Sequence, residues 1–571
     1  MNEPIIKQNS GKLLLTGLLA ASIAVGSLPA AAGATSSHDL APTSIASGLT
    51  AEETLVPLRA AAEDIAAIVR YDGISRTAIV TWAGHELRFP IGKATMTVDG
   101  RSIALDKPLR VDAQGRLLLS LSAFNEALGI ESAWSQLEGL TPSGKSYDAK
   151  SARFVRQLAR GQWDAAAANF SKGLTAALPR PTLEAFWAQV QALYGGVASL
   201  EQVTIQPNAV HTTAKLLYKT ERQLPFALEV RFDADGRIDD LIVPAMADVP
   251  YSPPSYDLPQ TYKEEQVVVG EGTLALPGKL TVPSDGRIAA VAVLVHGSGP
   301  NDEDETAGAA KTFRDLAVGL AKQGVATLRY TKRTREHSFK AVTPGFTVKD
   351  ETIDDALLAA DLVNADARFA DVPVILVGHS QGGMLVPRIL KDDRNKRFDA
   401  AVILAGPTVP IEDLILTQYK NAVERARKQG ASPEVIAQLE QQAKQWEQTV
   451  AIIKDERYTT NNYPADLPLP NASWWFDFRN HYAAEQAKDQ HIPLFIAQGD
   501  NDVQVDASNL EGWKKALSAR TDVTYKLYPK LNHVFVPYDQ PSTGAEYMLP
   551  GNVPIEVMED LAAWMKQQPA K

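Results

Sequence analysis

The apolar run 372–377 leads directly into Gly378-His379-Ser380-Gln381-Gly382, and a helical pattern starts at Met384. A serine between a strand and a helix sits on a turn too tight for bulky neighbours. Gly378 and Gly382 supply the missing bulk, and the turn lifts the Ser380 hydroxyl above the strand ends. The surrounding chain keeps the same rhythm. Extended runs are expected at 266–269, 278–282, 288–295, 325–330, 372–377, 400–404, 492–497 and 523–528. Helical patterns separate most of those after 295. Apolar strands with helices between them predict a largely parallel sheet covered on both faces. Residues 411–485 break the rhythm with two long, charged, amphipathic helical patterns, 411–428 and 433–454. This insertion is expected to cap the strand ends.

With 571 residues the chain is too long for one core, and its length suggests roughly three or four domains. Residues 35–50, rich in Ala, Ser, Thr and Pro, read as a flexible lead-in. Residues 51–140 carry short strands, turns and two helices. They hold a faint internal repeat: Leu55-Val56-Pro57-Leu58 is echoed by Leu118-Leu119-Ser120-Leu121, and the copies run on to Tyr71 and Trp134. Residues 148–247 place helices first and extended runs afterwards, which predicts a second small α+β domain. The Pro-rich stretch 248–259 reads as a stiff linker to the domain at 260–571.

Residues 1–34 have the pattern of an export signal. Lys7 and Lys12 precede the apolar run 13–25, and small residues near Ala32 and Ala34 offer cleavage sites. The run is too short for an ordinary membrane span, and no later apolar run approaches one. The expected product is a secreted or surface-associated protein. Its net charge of −11 argues against nucleic acid and anionic lipid as main partners. The absence of cysteine excludes disulfides, thiolate metal sites and a cysteine nucleophile.

A serine hydroxyl needs an imidazole to take its proton and a carboxylate to orient that imidazole. In the α/β-hydrolase layout the chain order is Ser, acid, His. Three histidines follow Ser380. His491 precedes a strand, at the wrong end, and His481 lies in or near the cap. His533 follows the run 523–528 at the right end of the sheet and is the expected base. The acid should leave the end of the run 492–497. Asp502 is preferred there over Asp500, with Asp506 more distant. For the developing oxyanion, the Gln381 amide is one expected donor. The second should come from His296-Gly297-Ser298-Gly299-Pro300, with Ser298 first choice and Gly297 second. Pro300 has no N–H to offer. His296 is expected to brace this loop, as is the acidic cluster 302–305.

These pieces resemble a family. His296 to Thr306, Leu276-Pro277-Gly278, Leu328 to Arg333, Gly378 to Arg388 and Leu404-Ala405-Gly406-Pro407 are similar to segments of bacterial α/β-hydrolases of the serine aminopeptidase-like and carboxylesterase group. Thr331 departs from that pattern, where the family usually has Asp. The resemblance implies ester hydrolysis on small acyl substrates, without cofactor or metal. Residues 51–140 resemble the stalk domains labelled copper amine oxidase N-terminal-like. His85 is the only histidine there and makes no copper site, so a spacer or wall-associated module is expected. Residues 148–247 resemble small nuclear-transport-factor-like domains. The expected fold is therefore an α/β-hydrolase with a helical cap insertion, preceded by two small α+β domains. Trp474, Trp475 and Phe476 could line an acyl pocket or simply pack the cap. The alternatives are a peptidase or acyltransferase with the same triad, and an exported wall-associated binding protein with a vestigial hydrolase domain.

Overall fold

The apolar runs after residue 260 form one eight-stranded sheet in the computed structural model, which describes residues 54–244 and 249–570. The order across the sheet is Tyr262–Val269, Leu276–Pro283, Val325–Tyr330, Ala290–Val295, Val374–His379, Ala400–Leu404, Leu494–Gly499 and Val523–Tyr528. The first three are joined antiparallel and the rest parallel. Two expected strands, 372–377 and 492–497, lie two residues further on. Their ends are drawn toward the site by pairing: His379 faces Leu404, and Gly499 faces Tyr528.

Side-chain alternation divides the sheet between two cores. Val291, Val293, Leu376, Ile403 and Ile496 face one core, beneath the helices Asp354–Asn364, Gln381–Asp392 and Ser508–Ala516. Ala292, Leu294, Val377, Val402 and Phe495 face the other, beneath Thr312–Lys322 and Ile555–Met565. Each fully buried Val, Leu or Ile contributes about 1.5–3 kcal/mol. These strands are therefore fixed in register, and with them the loops at their ends. The insertion is helical as expected, with Ile411–Lys428, Pro433–Ile453, Ala472–Phe478 and Ala483–Gln486. Among the described residues no helix is long and apolar enough to cross a membrane.

The Pro-rich stretch read as a linker is fastened along this unit. Tyr251 Oη donates to Asp315 Oδ1 at 2.6 Å, and Tyr256 Oη donates to the Val553 carbonyl at 2.5 Å. Those two tyrosines convert a spacer into a strap.

Residues 54–244 form the other unit. Its faint repeat is a strand–helix pair used twice. Leu55–Pro57 leads into Leu58–Asp64, and Leu117–Ser120 leads into Leu121–Leu128. The two strands pair antiparallel about Val56 and Leu119. A five-stranded antiparallel sheet spans Ile68–Asp72 to Arg101–Ala104. His85 Nδ1 sits 2.7 Å from Asp99 Oδ2 at its surface. The helices Tyr147–Ala159, Trp163–Ala167, Lys172–Ala177 and Arg180–Tyr194 then precede a four-stranded antiparallel sheet, Val197–Pro207 to Ile238–Ile242. The two segments read separately from sequence pack as one unit. The joints are polar: Arg153 Nη2 donates to the Glu138 carbonyl at 2.8 Å, and Arg160 Nη1 lies 3.7 Å from Asp64 Oδ1. The expected export signal and lead-in lie outside the described residues.

Candidate active site

Ser380 stands on the turn between strand Val374–His379 and helix Gln381–Asp392, with φ 53° and ψ −118°. Backbone contacts explain the glycines. A Cβ on Gly378 would fall 2.4 Å from the Gly382 carbonyl oxygen, and one on Gly382 would fall 2.2 Å from that of Val295. No side chain fits at either position, so the sequence can only make this turn with glycine. The strained φ at Ser380 is held by its amide, which donates to the Leu404 carbonyl at 2.8 Å.

His533 Nε2 lies 3.0 Å from Ser380 Oγ, and His533 Nδ1 lies 2.7 Å from Asp502 Oδ2. Asp502 and His533 are both 5% exposed, which keeps bulk water from competing for these bonds. Asp502 is anchored by four donors. Its Oδ1 accepts from the Gln504 and Val505 amides, and its Oδ2 accepts from Gln498 Nε2 as well as the imidazole. The acid strand and the histidine loop touch: a Cβ on Gly499 would fall 2.1 Å from the Leu531 carbonyl oxygen. Asp500 serves that loop instead, accepting from the Lys530 amide at 2.5 Å. Asp506 accepts from the Ser508 amide in a helix-entry turn. His481 lies 3.0 Å from the Met384 carbonyl, and burial pushes its pKa down to about 4. His491 is exposed before its strand.

Beside the serine runs the loop that starts at His296. The Gln381 and Ser298 amides have no hydrogen-bond partner among the described residues. Gly297 departs from the expectation. Its N–H donates to Glu305 Oε1 at 2.6 Å and is not free for an oxyanion. Gly297 matters by its smallness, since a Cβ there would come within 3.0 Å of Ser380 Cβ. His296 braces the loop, with Nε2 2.5 Å from the Tyr330 carbonyl and its ring stacked 4.8 Å from Phe313. Burial lowers the His296 pKa. The acidic cluster braces as well: Asp304 meets Arg329 at 3.0 Å and Lys311 at 2.9 Å, and Glu303 meets Lys279 at 2.7 Å. Thr331 Oγ1 donates to Glu303 Oε2 at 3.1 Å, away from Ser380.

Three buried groups do more than the sequence reading assigned to them. Glu305 Oε2 lies 3.0 Å from Nδ1 of His379, whose Nε2 lies 2.9 Å from the His533 carbonyl. Burial disfavours charge on both, but each offsets it for the other: Glu305 is held below its ordinary range and His379 above. Glu351 is the third, on the π-helical turn Lys349–Ile353. It accepts from Gln381 Nε2 at 3.1 Å and meets Lys332 Nζ at 3.0 Å. Gln381 Oε1 in turn accepts from Ser298 Oγ at 2.8 Å, and Lys332 Nζ donates to the Gly297 carbonyl at 2.8 Å. Glu351 thus holds the oxyanion-side loop through two routes. No periodicity or spacing marks it in the sequence. Glu305 belongs to the cluster expected to brace the loop, and His379 could have been suspected from its place beside Ser380.

Trp474 reaches this network, its Nε1 donating to Glu351 Oε2 at 2.7 Å. Trp475 and Phe476, also read as pocket residues, pack inside the cap. Trp475 meets Trp446 edge-on at 5.4 Å, and Phe476 lies against Tyr458, Tyr463 and the Arg479 guanidinium. Chemically, the arrangement offers a half-buried hydroxyl in line with an imidazole and a carboxylate, beside two free amides. That is what acyl transfer to a serine requires.

A family model described as serine aminopeptidase, S33, matches residues 287–539. A second, described as copper amine oxidase N-terminal domain, matches residues 38–140. The chain is 31% identical over 426 residues to esterase EstD of Thermotoga maritima, covering 74% of this chain and 95% of EstD. That match is longer than Ala245–Lys571, so it continues into the first unit. Among solved structures, the Pyrococcus furiosus esterase Pf2001 has a TM-score of 0.34 at 13% identity, covering 57% of this chain and 98% of that one. Est1E from Butyrivibrio proteoclasticus has a TM-score of 0.32 at 15% identity, covering 52% and 97%.

Proposed function

The chain belongs to the α/β-hydrolase esterase family that includes EstD, and from that premise we propose that Ser380, His533 and Asp502 hydrolyse small acyl esters through an acyl-enzyme. The observation that carries this reading is the unbroken hydrogen-bonded chain from Ser380 Oγ through His533 to Asp502. His533 Nε2 takes the hydroxyl proton as Ser380 Oγ bonds to the ester carbonyl carbon. The carbonyl oxygen gains the negative charge, and the Gln381 and Ser298 amides receive it. The His533 imidazolium, steadied by Asp502, returns the proton to the leaving alcohol as the C–O bond breaks. Water then attacks the acyl-Ser380 ester with His533 again as base, releasing the acid and restoring the serine.

The cap supports a small acyl group as substrate. Trp475 and Phe476 are engaged in packing the cap, and the Trp474 indole N–H is bonded to Glu351. We place the activity outside the cytoplasm, on the strength of the pattern Lys7, Lys12 and 13–25. The stalk-like segment 51–140 then acts as a spacer or wall-associated module. The test is hydrolysis of p-nitrophenyl esters from acetate to laurate, beside aminoacyl p-nitroanilides, with a Ser380→Ala control. Preference for short esters supports the reading. Faster turnover of the anilides would make the protein a peptidase.

A further inference from the structure

A single buried carboxylate reaches both flanks of Ser380. Glu305 Oε1 accepts from the Gly297 amide at 2.6 Å, and Glu305 Oε2 lies 3.0 Å from His379 Nδ1. The other nitrogen of that ring, Nε2, lies 2.9 Å from the His533 carbonyl. Gly297, His379 and His533 stand at or beyond the ends of three different strands, Ala290–Val295, Val374–His379 and Val523–Tyr528. Chain neighbours complete the connection. Gly297 precedes Ser298, His379 precedes Ser380, and His533 is the base.

The contacts are fixed in direction. A carbonyl and a carboxylate both accept, so the His379 site suits a ring with hydrogen on both nitrogens. Among the described residues, His379 is the only group bonded to the His533 carbonyl. The next carbonyl, of Val534, accepts from Thr312 Oγ1 at 3.1 Å, so this loop is held at two successive peptides. Glu305 itself takes a left-handed backbone with φ 51°, which costs a residue other than glycine on the order of 1–3 kcal/mol. Packing alone does not explain the pair, since apolar side chains fill a buried site about as stably as two charges do. Apolar side chains cannot supply a fixed reach to two main-chain groups on either side of the nucleophile.

We propose that Glu305 and His379 are positioning residues for ester hydrolysis. Through one buried contact they hold the main chain at Gly297, and so the Ser298 amide, and the main chain at His533, and so its imidazole, at fixed distances from Ser380. Neither residue touches the reacting atoms. Their effect is on alignment, where a displacement of about 1 Å costs about 10²-fold in rate. This inference rests on the Ser380–His533–Asp502 reading, and the experiment separates the two.

The experiment is steady-state kinetics on p-nitrophenyl butyrate for the full chain and four variants, Ser380→Ala, His379→Leu, His379→Gln and Glu305→Asp, with circular dichroism giving the folded fraction. His379→Leu fills the site without a donor. It should lower kcat per folded chain about 10²-fold and change KM less than about threefold. Glutamine places an amide nitrogen near the position of Nε2, so His379→Gln should have a kcat at least about tenfold above that of His379→Leu. A merely structural role would change the folded fraction and leave kcat per folded chain unmoved. If His379→Leu does not fold, Glu305→Asp decides. It keeps the charge, but its carboxylate is one methylene too short to span Gly297 and His379, and kcat should fall at least about tenfold. With Ser380→Ala inactive, wild-type kcat in the deciding variant would overturn the inference, as would His379→Gln no faster than a folded His379→Leu. An active Ser380→Ala would overturn the triad and this inference with it.

Discussion

Trp474 Nε1 donates to Glu351 Oε2 at 2.7 Å, so a side chain of the cap is bonded to the carboxylate that holds Gln381 and Lys332. Lys332 is 2% exposed, and Glu351 is the only carboxylate bonded to it among the described residues. Charge makes Glu351 the keystone: it stabilises a buried ammonium while fixing the residue beside the nucleophile. Glu351→Gln should therefore destabilise the hydrolase by about 3–5 kcal/mol, because it leaves a buried charge unpaired. Trp474→Phe should cost only about 1 kcal/mol. Adding Lys332→Met to Glu351→Gln should recover most of the loss. Denaturant unfolding of the single and double variants checks this, and additive losses would contradict it.

The two aspartates at the end of strand Leu494–Gly499 should separate cleanly. Asp502→Asn removes the carboxylate 2.7 Å from His533 and should lower kcat about 10⁴-fold. Asp500→Asn disturbs only the Lys530 turn and should lower kcat by less than about tenfold. Steady-state kinetics on p-nitrophenyl butyrate would distinguish them, and a reversed order would transfer the role.

Much of this was legible in the chain itself. The strands 325–330, 400–404 and 523–528 and the helix 411–428 appear where their apolar patterns end. Ser380, Asp502 and His533 stand out because each follows a strand at the same sheet edge, and topology alone gathers them. Illegible were the groups whose meaning is a contact. Gly297 reads as a free amide until Glu305, eight residues on, is seen to take it. Trp475 and Phe476 read like Trp474, yet only Trp474 turns toward Glu351; the others meet Trp446 and Tyr458 from distant parts of the cap. The strap tyrosines 251 and 256 looked like linker residues because their partners, Asp315 and Val553, lie far along the chain.

The buried pair Glu305–His379 predicts a pH signature. His379 is raised above 6.5, so its stabilisation is full below that pH and is lost as pH rises through its folded value. Glu305 is lowered below 4.5, so its contribution is full above that pH and is lost as pH falls through its folded value. The pair is therefore strongest between about pH 4.5 and 6.5. The Tm difference between wild type and Glu305→Gln should peak there and shrink by pH 9. A difference that grows toward pH 9 would contradict the pairing.

Glycine substitutions should divide by space. Gly382→Ala pushes a Cβ to 2.2 Å from the Val295 carbonyl oxygen and should cost 3 kcal/mol or more, on the order expected for overpacking against backbone. At Gly299, φ is +91° but nothing lies within 4 Å, so Gly299→Ala pays only conformational strain, about 1–2 kcal/mol. Urea unfolding of the two variants orders them.

The central claim is that Ser380 is the nucleophile. Intact-protein mass spectrometry after treatment with a p-nitrophenyl alkylphosphonate tests it directly. The account predicts one phosphonyl adduct per chain, mapped to Ser380, with loss of esterase activity in step with labelling and no adduct in Ser380→Ala. An adduct on another residue, or undiminished ester hydrolysis by Ser380→Ala, would contradict it.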